Sequence, residues 1–333
     1  MQVSYVTVAE DVDGSPITDH DPALVETLLQ RTDGFVWVDI EHWDEQAYRL
    51  LKETFHCHSL VLDACARMNH VPTIHAYPAH VFVTLFVPLT IESGRVHRIE
   101  LDQIIGERYL VTVHGPYDGG VNEDEATREV DAVRYRIVSG RFHPTRPSQL
   151  SYAVGSAMAR RQQEAVGQVA QRLPALEAEV MSGDLSQPEK LLERLFLLRH
   201  ELLVVRTMAA QSYDMYARIE SLKGRVSDAH RGYAKDLAKQ FERVKSVADG
   251  ELDFLFGIID LYQTRVTTKM TIAMERLAVI AAITLPVTAL ASVYGMNVIV
   301  NQTTHVGQLV GVLAVMLAIS GVLLRWTKRQ GWW

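Results

Sequence analysis

Between Leu277 and Leu324 the chain carries no Asp, Glu, Lys or Arg, although such residues make up 22% of its 333 positions. The run is more than twice the ~20 residues that a helix needs to cross a bilayer core. A short polar stretch, Gly295–His305, divides it. It therefore reads as two spans, with apolar cores at Leu277–Tyr294 and Val306–Trp326. Taken with its flanks, the first span covers about 271–296, the outer loop 297–305, the second span 306–326 and a basic tail 327–333. Two spans with a short connection form a hairpin, so both ends face one side of the bilayer. Lys269 and Arg276 precede the first span; Arg325, Lys328 and Arg329 close or follow the second; the loop has neither Lys nor Arg. The positive-inside rule puts both termini in the cytoplasm and the loop outside. Trp326, Trp332 and Trp333 suit a membrane interface.

The rest of the chain supports the same orientation. Its first residues, Met1–Asp11, show no basic segment followed by an apolar core, so no secretory signal is expected. Two cysteines, Cys57 and Cys65, are too few for a disulfide framework and suit a reducing compartment. The formal charge of −7 argues against a nucleic-acid partner. Most of the chain is therefore expected on the cytoplasmic side of the membrane.

Residues 1–147 read as a cytoplasmic α/β domain. Val3–Val8, Phe35–Ile40, His80–Pro88, His97–Gly106 and Tyr109–His114 are β-branched and aromatic runs. Helical patterns lie between and after them: Asp21–Gln30, Asp44–Phe55 with Tyr48, Leu51 and Phe55 on one face, and Glu123–Ile137 ending near Gly140. Residues 148–270 read as a helical bundle and stalk. Ser148–Met181 and Pro188–Ser221 are two long helices, and a third begins near Ser227. In that third helix apolar residues recur every three or four positions from Leu237 through Leu252 and Ile259 to Val266, with no proline before Pro286. Sixty residues of helix would reach about 90 Å. Gly250 and Gly257 weaken it locally, but no turn cluster interrupts it, so a single stalk running into the first span is predicted. Residues 271–333 complete the chain as a transmembrane domain.

A hairpin could be a passive anchor. The first span points instead to a pore. Thr271, Met274, Leu277, Ala281, Leu285, Thr288, Ser292 and Gly295 recur at spacings of three or four and share one stripe. The stripe is small, weakly polar and continuous with the stalk, which suits helix packing or contact with water. One helix cannot enclose a pore, so several copies around an axis are required.

Tyr294-Gly295-Met296-Asn297 closes this span directly before the loop, with Pro286-Val287-Thr288 earlier in the same helix and basic residues after the second span. Motif and setting together resemble the CorA family of divalent-cation channels, closely from about Asp260 to Trp333. The resemblance implies a funnel-shaped homopentamer in the lipid bilayer with five first spans around the pore. It implies that Gly295, Met296 and Asn297 form the outer mouth, where the Asn297 amide oxygen meets a hydrated Mg2+. Mg2+ sheds water reluctantly, so oxygens that bind its water shell suit it. Thr288 would add a hydroxyl ring, and Met274 and Leu277 an apolar gate that closes by dewetting. Asp260 matches an acidic family position near the inner mouth. Mg2+ would be both cargo and closing ligand, held by acids between protomers; Asp249, Glu251 and Asp253 are nearby stalk acids, with a solvated helix face as their alternative. Two departures stand out. Thr271 replaces a usual Asn at the inner end, and the loop 298–305 has no acid.

Other signals carry less. His56-Cys57-His58 with Cys65 and His70 fits no standard zinc spacing. No phosphate-binding loop of the Gly-x4-Gly-Lys type supports a pump, and no nucleophile–base set supports an enzyme. The expected function is Mg2+ influx, with Co2+ or Ni2+ as further cargo. The alternatives are a Zn2+ transporter of the related ZntB type, and a membrane-anchored regulatory protein without a pore.

Overall fold

The computed structural model describes residues 1–8, 17–91, 95–116, 121–182, 188–219, 228–295 and 306–329. Seven strands form one sheet: β1 (Gln2–Thr7), β2 (Ile17–His20), β3 (Gly34–Ile40), β4 (Thr73–Ala76), β5 (His80–Thr90), β6 (Val96–Gly106) and β7 (Tyr109–His114). Their order is β2-β1-β3-β7-β6-β5-β4, and β3 with β7 is the parallel pair. The helices are α1 (Val25–Gln30), α2 (Glu45–Arg49), α3 (Ser59–Cys65), α4 (Glu123–Val138), α5 (Pro147–Ala170), α6 (Leu173–Ser182), α7 (Pro188–Ala217), α8 (Asp228–Gly295) and α9 (Val306–Arg329).

The chain divides into two compact units. One comprises Met1–Glu179 with Leu185–Gly257, and the other Ile258–Trp333 with Val180–Asp184. In the first, helices cover both faces of the sheet. Val36, Val38, Val111 and Val113 pack with Leu28, Leu51 and Val61 from the α1–α3 side. Trp37, Leu85 and Leu110 pack with Val130 of α4, Val154 of α5 and Phe241 of α8. Central strands are therefore apolar almost without alternation, as two-sided burial requires.

Local chemistry explains the helix ends. Asp44 caps α2 by accepting from the Ala47 amide at 2.7 Å. Three acids in the first turn of α4 complement its dipole, and Gly140 at φ +69° lets the chain leave it. The expected Ser148–Met181 helix is two helices, broken at Gln171-Arg172. Pro174 is the reason. It has no amide proton, and its ring would clash with the carbonyl four residues back, so it sits at the start of α6. The stalk expectation holds: α8 is 68 residues long and passes Gly250, Gly257 and Pro286 without interruption. Short β2, β4 and α3 were not anticipated.

The cysteines are buried and free. Burial pushes the Cys57 thiol up to about 12 and the Cys65 thiol well above its usual range, so both stay protonated. Metal binding needs thiolates. Among the described residues no group of three His, Cys, Asp or Glu is placed to hold a metal.

One buried charge network ties β3, β7 and α4 together. His114 Nδ1 faces the Ala126 carbonyl and Nε2 faces Asp39 Oδ1, both at 3.1 Å. Both partners are acceptors, so the geometry favours a proton on each ring nitrogen. Asp39 also accepts from the Thr112 hydroxyl, and Arg134 lies 3.6 Å from it while stacking over Trp37. Burial alone would lower the His114 pKa, but the Asp39 hydrogen bond and charge outweigh it and leave the value raised. Burial alone would raise Asp39, but His114 and its other partners hold it below the usual range. The His114 contribution to stability is complete below about pH 6.5, its unfolded value, and fades as pH rises through the raised folded value. The Asp39 contribution is complete above about pH 3.9 and fades as pH falls through the depressed folded value. His114→Ala strands a buried carboxylate and should destabilise the protein by ~3 kcal/mol. Thermal unfolding of full-length protein in detergent checks this, and the variant should also lose the wild type's decline in stability towards alkaline pH.

Candidate cation pathway

The candidate pathway is built on the second unit, from α8 beyond Ile258 and from α9. Their most apolar 18-residue windows have mean hydropathy 1.6 and 1.9, and only 6% and 11% of each is buried within the chain. A core helix of a soluble protein would be mostly buried. This much exposed apolar surface needs lipid or further protomers around it.

Exposure divides α8 into two faces. Val279 is buried, and Ala282, Ile283, Pro286, Val287 and Leu290 are partly covered. On α9 the covered positions are Val312, Met316, Ile319, Ser320, Leu323 and Thr327. Both sets recur every three or four residues, as one covered face of a helix should. The residues expected to line a pore lie elsewhere. Thr271, Met274, Leu277, Ala281, Leu285, Thr288 and Ser292 are all exposed. At ~100° per residue their stripe points roughly 155° around the helix from the covered one. Met274, Leu277 and Leu285 are 59%, 66% and 68% exposed, so nothing among the described residues covers this face. Gly295 is the last residue of α8. Met296 and Asn297 lie outside the described residues.

The threonines share one geometry. The Thr271, Thr284 and Thr288 hydroxyls donate to the carbonyls four residues earlier, at 3.0, 2.8 and 2.7 Å. Each proton is spent on the backbone, so the outward oxygen offers lone pairs only. Such an oxygen can accept from water held by a cation and has no proton to present to it. Thr267 and Thr268 do the same and line one cleft with Asp260, Thr264, Thr271 and Glu275. Sequence reading singled out Asp260 and Thr271 but missed the others. Their spacing from Asp260 by four, seven and eight residues is the signal that could have found them.

The acidic candidates separate. Asp249 is bonded to Arg206 Nε at 2.6 Å, which gives it a structural role in the first unit. Asp253 and Asp260 are exposed, with no hydrogen-bond or ion-pair partner among the described residues.

The model of the family described as CorA-like Mg2+ transporter protein matches residues 32–329. The chain belongs to this family. It is a CorA-like divalent-cation transporter of the membrane, and Mg2+ is the cargo that the family supports. YfjQ of Bacillus subtilis, described as a metal ion transporter, is 25% identical over 316 residues, covering 92% of this chain and 93% of its own. The cobalt/magnesium transport protein CorA of Thermotoga maritima is 24% identical over 319 residues, covering 92% and 87%. The complete structure of the CorA magnesium transporter from Methanocaldococcus jannaschii superposes with a TM-score of 0.80 at 15% identity, covering 100% of this chain and 99% of that one. The ZntB cytoplasmic domain from Vibrio parahaemolyticus gives 0.55 at 11% identity over 80% of this chain and 98% of that one. The full-length superposition establishes the shared fold: an α/β domain, a long helix and two C-terminal apolar helices.

If α9 spans the bilayer, a charge at its middle must be costly. Leu317→Arg, at a 74% exposed position, should cost about 3 kcal/mol of insertion and deplete membrane-integrated protein. Carbonate extraction of membranes measures this, and unchanged integration would contradict the assignment.

Proposed function

We propose that the chain assembles as a homopentameric channel of the inner membrane, with both termini in the cytoplasm, that admits Mg2+ and is closed by internal Mg2+. The observation that carries this reading is the uncovered α8 stripe. It combines apolar, small and hydroxyl-bearing residues, stands opposite the covered face, and leads to Gly295-Met296-Asn297. A face of mixed polarity is a poor lipid surface and a suitable wall for water shared among several copies.

Transport needs no chemical energy source. A divalent ion gains about 4.6 kcal/mol on crossing 100 mV, twice the ~2.3 kcal/mol of an elementary charge. At the outer mouth, Asn297 would turn its amide oxygen to the ion's water shell, with Gly295 allowing close approach of the backbone. Thr288 would offer a second oxygen ring, Met274 and Leu277 the apolar constriction. Asp260 and the threonines below would keep the inner mouth attractive to cations. Asp253 is the second acid proposed to take part when internal Mg2+ closes the pore.

Uptake of Mg2+ by vesicles containing the purified protein tests the reading. Asn297→Ala should cut influx at least tenfold, since it removes the oxygen that orders the hydrated ion. Equal uptake by variant, wild type and empty vesicles would exclude a channel, and Zn2+ uptake without Mg2+ uptake would select the zinc alternative. Asp260→Asn should lower influx severalfold or weaken inhibition by internal Mg2+; a variant unchanged in both would remove Asp260 from the pathway.

A further inference from the structure

Two arginines bound the uncharged run and are placed alike. Arg276 stands 19 residues before Gly295, the end of α8, and Arg325 stands 19 residues after Val306, the start of α9. Each arm is about 28 Å of helix, close to the ~30 Å of a bilayer's hydrocarbon core. In a hairpin these equal arms bring both guanidinium groups to one level, at the boundary between acyl chains and headgroups. Lys328 and Arg329 follow within one turn of α9, and Trp326, 47% exposed, lies beside Arg325.

Arg134, Arg161, Arg172 and Arg206 of the first unit each meet a carboxylate. Arg276, Arg325, Lys328 and Arg329 are exposed and have no hydrogen-bond or ion-pair partner among the described residues. Glu275 is the adjacent acid in the chain and does not pair with Arg276. Arg276 also points away from the proposed pore face. At ~100° per residue it lies roughly 150° around α8 from the Met274–Ser292 stripe. Its charge is therefore directed outward, where it would not repel a cation on the axis.

We propose that Arg276 and Arg325, supported by Lys328 and Arg329, bind the phosphodiester of an anionic phospholipid in the leaflet at the basic ends of the hairpin. Planar guanidinium groups match phosphate oxygens with paired hydrogen bonds, and a headgroup without a compensating ammonium gains the full attraction of the cluster. The inference rests on membrane placement of α8 and α9 and holds whether or not the opposite face lines a pore. Mg2+ uptake reads the pore separately.

Full-length protein in detergent can be titrated with phosphatidylglycerol, phosphatidylcholine or glycerol 3-phosphate, and bound molecules counted by native mass spectrometry. Phosphatidylglycerol should be retained preferentially and should release as salt is raised, while phosphatidylcholine and glycerol 3-phosphate should not compete with it. The double variant Arg276→Gln, Arg325→Gln should lose on the order of tenfold or more in retention, from ~1 kcal/mol per basic residue. The double Arg→Lys variant keeps the charge but loses the paired hydrogen bonds, so its retention should fall between the wild type and the Gln variant. Equal retention of the two lipids, full competition by glycerol 3-phosphate, or unchanged retention in the Gln variant would overturn the proposal. Salt-independent retention by the wild type would overturn it too, and that measurement stands even if the Gln variant does not fold. A neighbouring protomer's Glu275 paired with Arg276 would appear as equal retention of the two lipids.

Discussion

The structure depends on the mismatch between the exposed surface of its last two helices and water. Within each helix the backbone satisfies its own hydrogen bonds, so α8 and α9 can enter a bilayer, but their side chains leave a broad apolar surface that one chain cannot cover. The covered stripes through Val279 and Met316 account for a part of each helix. The remaining surface must meet lipid on one side and, where hydroxyls and small residues interrupt it, other protomers or water on another. The proposed assembly would cover that remaining face.

The first unit meets the opposite demand. Its sheet is covered on both faces, and two buried charge clusters are compensated at short range: the Asp39–His114–Arg134 network and Arg161 with Glu125 and Glu129. Buried pairs of this kind are costly to break and fix which strand faces which helix. Among the described residues Asp253, Asp260, Arg276 and Arg325 have no such partner.

Much of this was legible in the sequence because it rests on long-range periodicity or on strong local chemistry. The missing charges of Leu277–Leu324 marked the spans, and the repeat from Leu237 to Val266 marked a helix that glycine does not break. Largely apolar runs at β3, β5 and β7 marked the buried strands. What escaped was short or depended on partners far away in the chain. β2 has four residues and is held by pairing to β1, while Pro174 breaks a helix whose apolar pattern continues through it. The His114 network joins residues 75 positions apart, which no local pattern reveals. At the candidate site the stripe was readable from spacing alone. That the hydroxyl protons are spent on the backbone, and that Asp249 is bonded to Arg206, emerged only from the geometry.

The central claim is that one face of α8 meets water inside the membrane. Single cysteines report this directly, because Cys57 and Cys65 are buried and give little background. Leu285→Cys lies on the uncovered stripe and Val287→Cys on the covered one. In vesicles, a charged, membrane-impermeant methanethiosulfonate should modify Leu285→Cys and block Mg2+ flux, and it should leave Val287→Cys unmodified. Reaction of Leu285→Cys only with a lipid-soluble maleimide, or equal reaction at both positions, would contradict the account.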